Sequence, residues 1–250
     1  MSNIQREKEI MKILDKTTFV TVDYLSEKLF ISTSSIRRDL TKLENQGLVK
    51  RTHGGVSLLN AQPGMAPFSM RIQENKREKI AIVKIASKLI NHGSSIFIDS
   101  STTALNFSNF LTADMNLTIF TNNIQLAHLL ASKHITTYCL GGLVSDCNDV
   151  ITMGSFALDM LKNIYTDMIF FTSAAFSEDG IITDSNENET TIRKMMLSHS
   201  KEKIFLCPHN RFSSIAPFKV GTVSDLDYII SDKKLPDSFM DRYNQISYLY

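Results

Sequence analysis

The sequence predicts an α/β protein made of two dissimilar units: a small helical unit with a hairpin over residues 1–57, and a larger unit over 76–250 with a doubly wound, mostly parallel sheet. Three observations carry this. Apolar residues recur at helical spacing up to Leu43, and beyond residue 94 short apolar runs alternate with helical stretches. Between these regions, residues 58–75 hold Pro63, Gly64 and Pro67 and show neither period, so they are expected to be a linker.

Composition agrees with two domains. The chain has 250 residues, 43% hydrophobic and 21% charged, which fits neither a wholly disordered chain nor a coiled coil. No apolar run approaches the ~18 residues of a membrane span, and the first residues, MSNIQREKEI, are too charged for a signal peptide. A cytoplasmic protein without membrane association is expected. Cys139, Cys147 and Cys207 form no CxxC pair and read as reduced thiols. Charge is uneven: residues 1–55 hold 10 basic and 7 acidic side chains, a surplus of three, against 17 and 19 in the rest. From Ser32 to His53, Arg37, Arg38, Lys42, Lys50 and Arg51 face only Asp39 and Glu44, a balance found in nucleic-acid readers and on ordinary solvated helix faces alike.

In the first unit, Ile4, Met11 and Leu14, with Ile10 and Ile13 beside them, make one helix. Val22, Leu25 and Leu29 make a second. Ser32 can cap a third whose buried stripe is Ile36, Leu40 and Leu43, ended by Gly47 in the left-handed conformation with Leu48 packing back. At 100° per residue the opposite face carries Ser34, Arg38 and Thr41, flanked by Arg37 and Lys42. Guanidinium groups can bind guanine edges or phosphate and short hydroxyls can make close contacts, which is the chemistry of a helix lying in the major groove. Asp39 lies nearer the core and is expected in an internal ion pair. The following LVKRTHGGVSLL reads as strand, Gly-Gly turn, strand, with Arg51 and His53 at the tip of a wing that can meet phosphate; a plain surface charge is the alternative for Arg51.

The stretch Ser32 to Val56, with I-R-R-D-L followed by L-E-x-x-G-L-V-x-R-x-H-G-G, resembles the helix-turn-helix signature of the DeoR family of bacterial transcriptional regulators. Arg6, Ile10 and Leu14 stand where the longer signature expects them, and Ser35 replaces its usual Thr.

In the larger unit a helix begins at Lys76, with Ile82, Ile85, Ala86, Leu89 and Ile90 as its stripe. Apolar strands are expected at 95–99, 117–121, 137–142, 167–174, 203–208 and 227–231, with helical stretches near 103–111, 123–132, 155–163 and 188–200. Ligands of such sheets sit at the strands' carboxyl ends. There the sequence places Asp99, Ser100, Ser101, Thr102 and Thr103, then Thr121-Asn122, then Gly141-Gly142. Hydroxyls and backbone N–H groups suit an anion, an aspartate suits a sugar hydroxyl, and glycines permit close approach. Taken singly, each segment could equally be a helix cap or a turn.

This portion is similar to the C-terminal sensor domain of the same family, which has the fold of ribose-5-phosphate isomerase and CoA-transferase-type proteins. Asp99 to Thr103 matches the family's D-S/A-G-T-T with Ser101 for Gly, and Thr121-Asn122 and Gly141-Gly142 match its T-N and G-G. Later motifs diverge: both glycines of F-x-G-x-x-G are lost in Phe170 to Ala175, E-A-x-x-K-R reads Glu189 to Lys194, and D-S-S-K-F reads Pro208 to Phe212. Arg193 and Arg211 keep positive charge there, as effector ligands or as ion-pair partners of Asp184, Glu187 or Glu189.

The resemblance implies a repressor of carbohydrate-metabolism genes that binds double-stranded DNA through Ser34, Arg37, Arg38, Thr41, Arg51 and His53 and is controlled by a phosphorylated sugar or polyol. A homo-oligomer, dimer or tetramer, is expected because one such unit reads only a few base pairs. No cofactor is expected. The histidines lack metal-ligand spacing, and the eleven methionines and Phe170, Phe171 and Phe205 read as core. Two other readings stay open: a sugar-phosphate isomerase-like enzyme, against which stands Thr172-Ser173-Ala174-Ala175 in place of an acidic D-G-A-D-E cluster, and a DNA-binding protein with a degenerate ligand site.

Overall fold

The computed structural model describes residues 3–16, 20–52, 55–58, 68–145 and 148–250. His53, Cys147 and the linker residues Pro63, Gly64 and Pro67 lie outside the described residues. The chain divides into two compact units, residues 1–74 and 75–250.

The first unit runs α1 (Asn3–Lys16), β1 (Val20–Thr21), α2 (Val22–Leu29), α3 (Thr33–Asn45), β2 (Val49–Thr52), β3 (Gly55–Leu58) and α4 (Phe68–Gln73). Thr21 caps α2 by accepting from the Tyr24 N–H, and Ser32 caps α3 by accepting from that of Ser35. Gly47, at φ 68°, ends α3: its N–H reaches the Glu44 carbonyl at 2.9 Å and that of Leu48 the Leu43 carbonyl at 3.0 Å. This is the paired closure that satisfies a helix's last carbonyls. Strand β3 pairs antiparallel with both β1 and β2. The core joins Ile10, Met11 and Leu14 of α1 to Leu25, Ile36, Leu40, Leu43 and Val56. Two expectations change. Ile4 is exposed, because it lies one turn short of the packed part of α1, and α4 occupies part of the segment read as linker.

The second unit continues with α5 (Lys76–Ala86), β4 (Ser95–Ile98), β5 (Thr118–Thr121), α6 (Ile124–Ala131), β6 (Thr136–Cys139), the antiparallel pair β7 (Leu143–Ser145) and β8 (Asn148–Met153), α7 (Ser155–Leu161), β9 (Thr166–Phe171), β10 (Ala175–Phe176), β11 (Ile181–Asp184), α8 (Glu187–Ser198), β12 (Ser200–Cys207), β13 (Phe218–Thr222), β14 (Tyr228–Ser231), α9 (Asp237–Arg242) and β15 (Ser247–Leu249). Its main sheet has seven strands in the order β15-β14-β12-β9-β4-β5-β6, and all six pairings are parallel. The sequence read as helical near 103–111 forms a 3₁₀ turn, Ala104–Asn109.

Alternation along the strands builds two apolar layers. Phe97, Ile169, Phe171, Phe205 and Ile229 share one cluster with Ala157 and Leu161 of α7, Ile192 and Met196 of α8 and Phe239 of α9. Their neighbours Ile96, Ile98, Phe170, Ile204 and Ile230 are equally buried, and Phe107 meets Phe170 with ring centroids 4.8 Å apart. A parallel sheet covered in this way aligns every strand's carboxyl end along one edge, and that edge carries the polar residues.

Candidate functional site

On α3 the buried stripe and the exposed face fall where the helical period puts them. Ile36, Leu40 and Leu43 are buried; Ser34, Arg37, Arg38 and Thr41 are exposed. Asp39 is buried and binds Arg6 of α1 through two contacts, Nε to Oδ2 at 2.6 Å and Nη2 to Oδ1 at 2.9 Å. This pair carries no base-reading role. It fixes α3 against α1 from the core side, so that the opposite face points outward.

The arginines differ in freedom. The Arg37 guanidinium makes no ion pair among the described residues, whereas Arg38 donates to the Ser35 hydroxyl at 3.3 Å. Thr41 donates to the Arg37 carbonyl at 2.9 Å and accepts from Arg51 Nη1 at 2.8 Å. Arg51 also stands 3.7 Å from Glu44, whose carboxylate accepts the Arg51 backbone N–H at 3.1 Å. Arg51 is therefore docked from β2 onto α3 and is not a free cation at the wing's tip, as the sequence suggested. Lys42 is engaged by Glu7 at 2.7 Å. The exposed face outside these ion pairs thus carries Ser34, Arg37, Arg38 and Thr41, with the Thr41 hydroxyl already engaged by Arg51 and the Arg37 carbonyl.

In the second unit the sheet brings the expected effector residues to one edge, in the order Arg211 after β12, Asp99 to Thr103 after β4, Thr121-Asn122 at β5, and Gly141-Gly142 after β6. Much of their polarity is spent internally. Asp99 is buried; its Oδ1 accepts the Ser101 N–H at 3.1 Å and its Oδ2 that of Thr172 at 2.9 Å, tying β4 to β9. The Ser101 hydroxyl accepts the Ala104 N–H at 3.0 Å, where the 3₁₀ turn begins. Asn122 donates to the Thr152 carbonyl at 3.1 Å. Gly142 has φ +131°, and a Cβ there would lie 2.4 Å from the Met153 carbonyl oxygen, so packing against the end of β8 suffices to require it.

Arg193 changes role most. The sequence offered it as positive charge for a ligand or as an ion-pair partner of Asp184, Glu187 or Glu189, and the second reading holds for Asp184 and Glu189. Its side chain is 5% exposed and contacts Asp184 at 2.7 Å, Asp99 at 3.4 Å and Glu189 at 3.9 Å. Burial alone would lower its pKa, but the carboxylates of Asp184, Asp99 and Glu189 outweigh burial and leave it raised. Its charge is more than balanced, and it acts as the tie that lets buried carboxylates sit beneath the site.

Two further groups stand at the strand ends. Lys79 of α5, 6% exposed, donates from Nζ to Thr102 Oγ1 at 2.9 Å, bringing a buried ammonium to the carboxyl end of β4. It sits in a segment holding Lys76, Arg77 and Lys84, and only its place on the inward side separates it from these. His209, Asp232 and Lys233 form a linked trio at the ends of β12 and β14. Arg211, between these sets, donates from Nη1 to the Ala174 carbonyl at 3.1 Å. No cluster of metal-ligating side chains occurs among the described residues, and among them no helix is long and apolar enough to cross a membrane.

The geometry defines a class: a winged helix-turn-helix that reads DNA, joined to an α/β unit with an anion-suited sheet edge. Residues 6–62 match the DeoR-like helix-turn-helix domain and residues 74–233 the DeoR C-terminal sensor domain. The chain is 30% identical to the HTH-type transcriptional regulator GolR of Listeria innocua, over 97% of this chain and 96% of that protein. It is 29% identical to the HTH-type transcriptional repressor GlcR of Bacillus subtilis, over 94% and 92% of the two. With the glycerol-3-phosphate regulon repressor of Escherichia coli it shares 27% identity over 96% and 95%. The chain belongs to the DeoR family; it is a DNA-binding transcriptional regulator and not an enzyme. Among solved structures, ribose 5-phosphate isomerase A from Methanocaldococcus jannaschii is similar over 56% of this chain and 55% of that one, with 15% identity and a TM-score of 0.42.

Proposed function

We propose that this regulator is a cytoplasmic, homo-oligomeric repressor of carbohydrate-metabolism genes, released from or locked onto its operator by a phosphorylated sugar or polyol. The observation that carries the effector reading is the sheet edge, where the buried Lys79 ammonium meets Thr102 and Arg211 lies two strands away. A phosphate taken out of water needs charge-assisted donors of this kind. The relative named as the glycerol-3-phosphate regulon repressor supports a phosphorylated polyol or sugar as the class. The effector residues are Lys79, Ser100, Ser101, Thr102, Thr103, Thr121, Asn122, Gly141, Gly142 and Arg211, held from beneath by Asp99 and Arg193. DNA is read by Ser34, Arg37, Arg38 and Thr41, with Arg51 positioning Thr41 and His53 as a further DNA-binding residue. Two-fold pairing onto repeated half-sites supplies the affinity one unit lacks.

Regulation follows when the effector binds the DNA-competent and incompetent states unequally, typically by a factor of about 5–150. The test is anisotropy of a labelled fragment from the promoter of the chain's own gene, titrated with a sugar-phosphate panel. One member should shift DNA affinity by about that factor, and Lys79→Met should abolish the shift while leaving effector-free DNA binding intact. Absence of any shift, and of any thermal stabilisation by the panel, would favour instead a DNA-binding protein with a degenerate ligand site. The internal ion pairing of Arg193 with Asp99 and Asp184 keeps that second reading in view.

A further inference from the structure

We propose that the carboxyl ends of β12 and β14 form a second anion station, built by His209, Arg211 and Lys233 around the buried carboxylate of Asp232, and that it takes a second acidic group of the effector, phosphate or carboxylate. This rests on the reading of the effector as a sugar phosphate seated at the ends of β4 and β5.

The station is organised from the inside. Asp232, its side chain 4% exposed, accepts the His209 backbone N–H at 2.7 Å and faces His209 Nδ1 at 2.6 Å. A carboxylate only accepts, so Nδ1 carries the proton and Nε2 is turned away from Asp232. Lys233 Nζ lies 3.2 Å from that Nε2 and donates to it. The imidazole edge and the ammonium therefore converge at one place, with the His209 side chain 39% exposed. An arriving anion can take over the Lys233 donor. Arg211, two residues beyond His209, spends one Nη1–H on Ala174 and forms no ion pair among the described residues. A guanidinium has further donors in the same plane. Asp232 offsets one positive charge, and the trio with Arg211 keeps an excess.

This is the reverse of the arrangement at Arg193, where carboxylates exceed the cation. The two stations are also spaced for one ligand. From β4 to β12 is two steps across the sheet, with β9 between, and strands lie about 4.8 Å apart, giving roughly 10 Å. A six-carbon sugar with an acidic group at each end spans such a gap; a monophosphate occupies one station only.

Calorimetric titration of the full chain with matched pairs tests this: glucose 6-phosphate against glucose 1,6-bisphosphate, fructose 6-phosphate against fructose 1,6-bisphosphate, and glucose 6-phosphate against 6-phosphogluconate. In at least one pair the doubly acidic member should bind about tenfold or more tightly, as expected of added charge-assisted hydrogen bonds. Lys233→Met, an exposed substitution, should bring that ratio near one, and Asp232→Asn, which removes the carboxylate opposing an anion, should raise it, while the singly acidic member binds as before. Equal binding within every pair, or a ratio unmoved in both variants, would overturn the second station and leave the sugar-phosphate reading standing. Binding of no member at all would overturn both.

Discussion

Replacing Arg193 by Met keeps a long apolar stem and removes the cation that holds Asp184 and Asp99. Asp99 would retain the N–H groups of Ser101 and Thr172, and Asp184 that of Ser185, at 2.7 Å, but both would lose their cation. Breaking a buried pair by deleting one partner costs about 3–5 kcal/mol, because a buried charge is left uncompensated. For a unit of this size each kcal/mol moves the melting temperature by about 2–4 °C, so a fall of roughly 6–20 °C is expected. The chain has no tryptophan, so differential scanning calorimetry is the suitable assay. A sign reversal sharpens the test. Asp184→Asn should destabilise the native chain by loosening Arg193, but stabilise the Arg193→Met variant by removing the stranded charge, with a coupling of about 1–3 kcal/mol. A loss below about 1 kcal/mol for Arg193→Met, or the same sign for Asp184→Asn in both backgrounds, would refute the structural role and return Arg193 to the ligand.

Gly142→Ala should destabilise by about 1–3 kcal/mol in urea titration, since its Cβ would strike backbone at 2.4 Å in a left-handed conformation; Gly141→Ala, meeting only Met160 Sδ at 3.6 Å, should be nearly neutral. Equal losses at the two glycines would show that the close approach to Met153 is not what requires Gly142. Asp39→Ala strands the part-buried Arg6 and should cost about 1–3 kcal/mol by the same measurement, and Arg6→Met should recover most of it in the double variant. Additive losses would mean that the pair is not a unit.

The small unit was legible because each of its signals is local. A cap at Ser32, a stripe at Ile36, Leu40 and Leu43 and a stop at Gly47 lie within sixteen residues of one another and agree. The central strands were legible as two-sided apolar runs. What escaped was short or non-local. β15 has three residues, α4 six, and the sheet of β10, β11 and β13 joins segments far apart in sequence; none is long enough for a period to emerge. The 3₁₀ turn at Ala104–Asn109 shares its apolar spacing with an α-helix over so few residues that composition does not separate them. At the candidate site the sequence showed which residues reach the strand ends, because parallel strands put them there, but not which are already satisfied. Asp184 was one of three carboxylates the sequence offered Arg193, and the fold selects it; Lys79 and Thr102 are 23 residues apart, so their pairing exists only in the fold.

The central claim is that the outer face of α3 reads DNA. Its most direct test is the affinity of the full chain for its own promoter fragment across a series of salt concentrations, measured beside an Arg37→Ala/Arg38→Ala double variant. Both residues are exposed and outside the core, so the variant should fold as well as the native chain. A base-contacting arginine contributes about 1–3 kcal/mol and a phosphate contact about one unit of salt slope, so the variant should lose roughly 30-fold or more in affinity, with specificity over random DNA falling or the salt slope becoming shallower. Full promoter affinity with an unchanged salt slope in the variant would contradict the account.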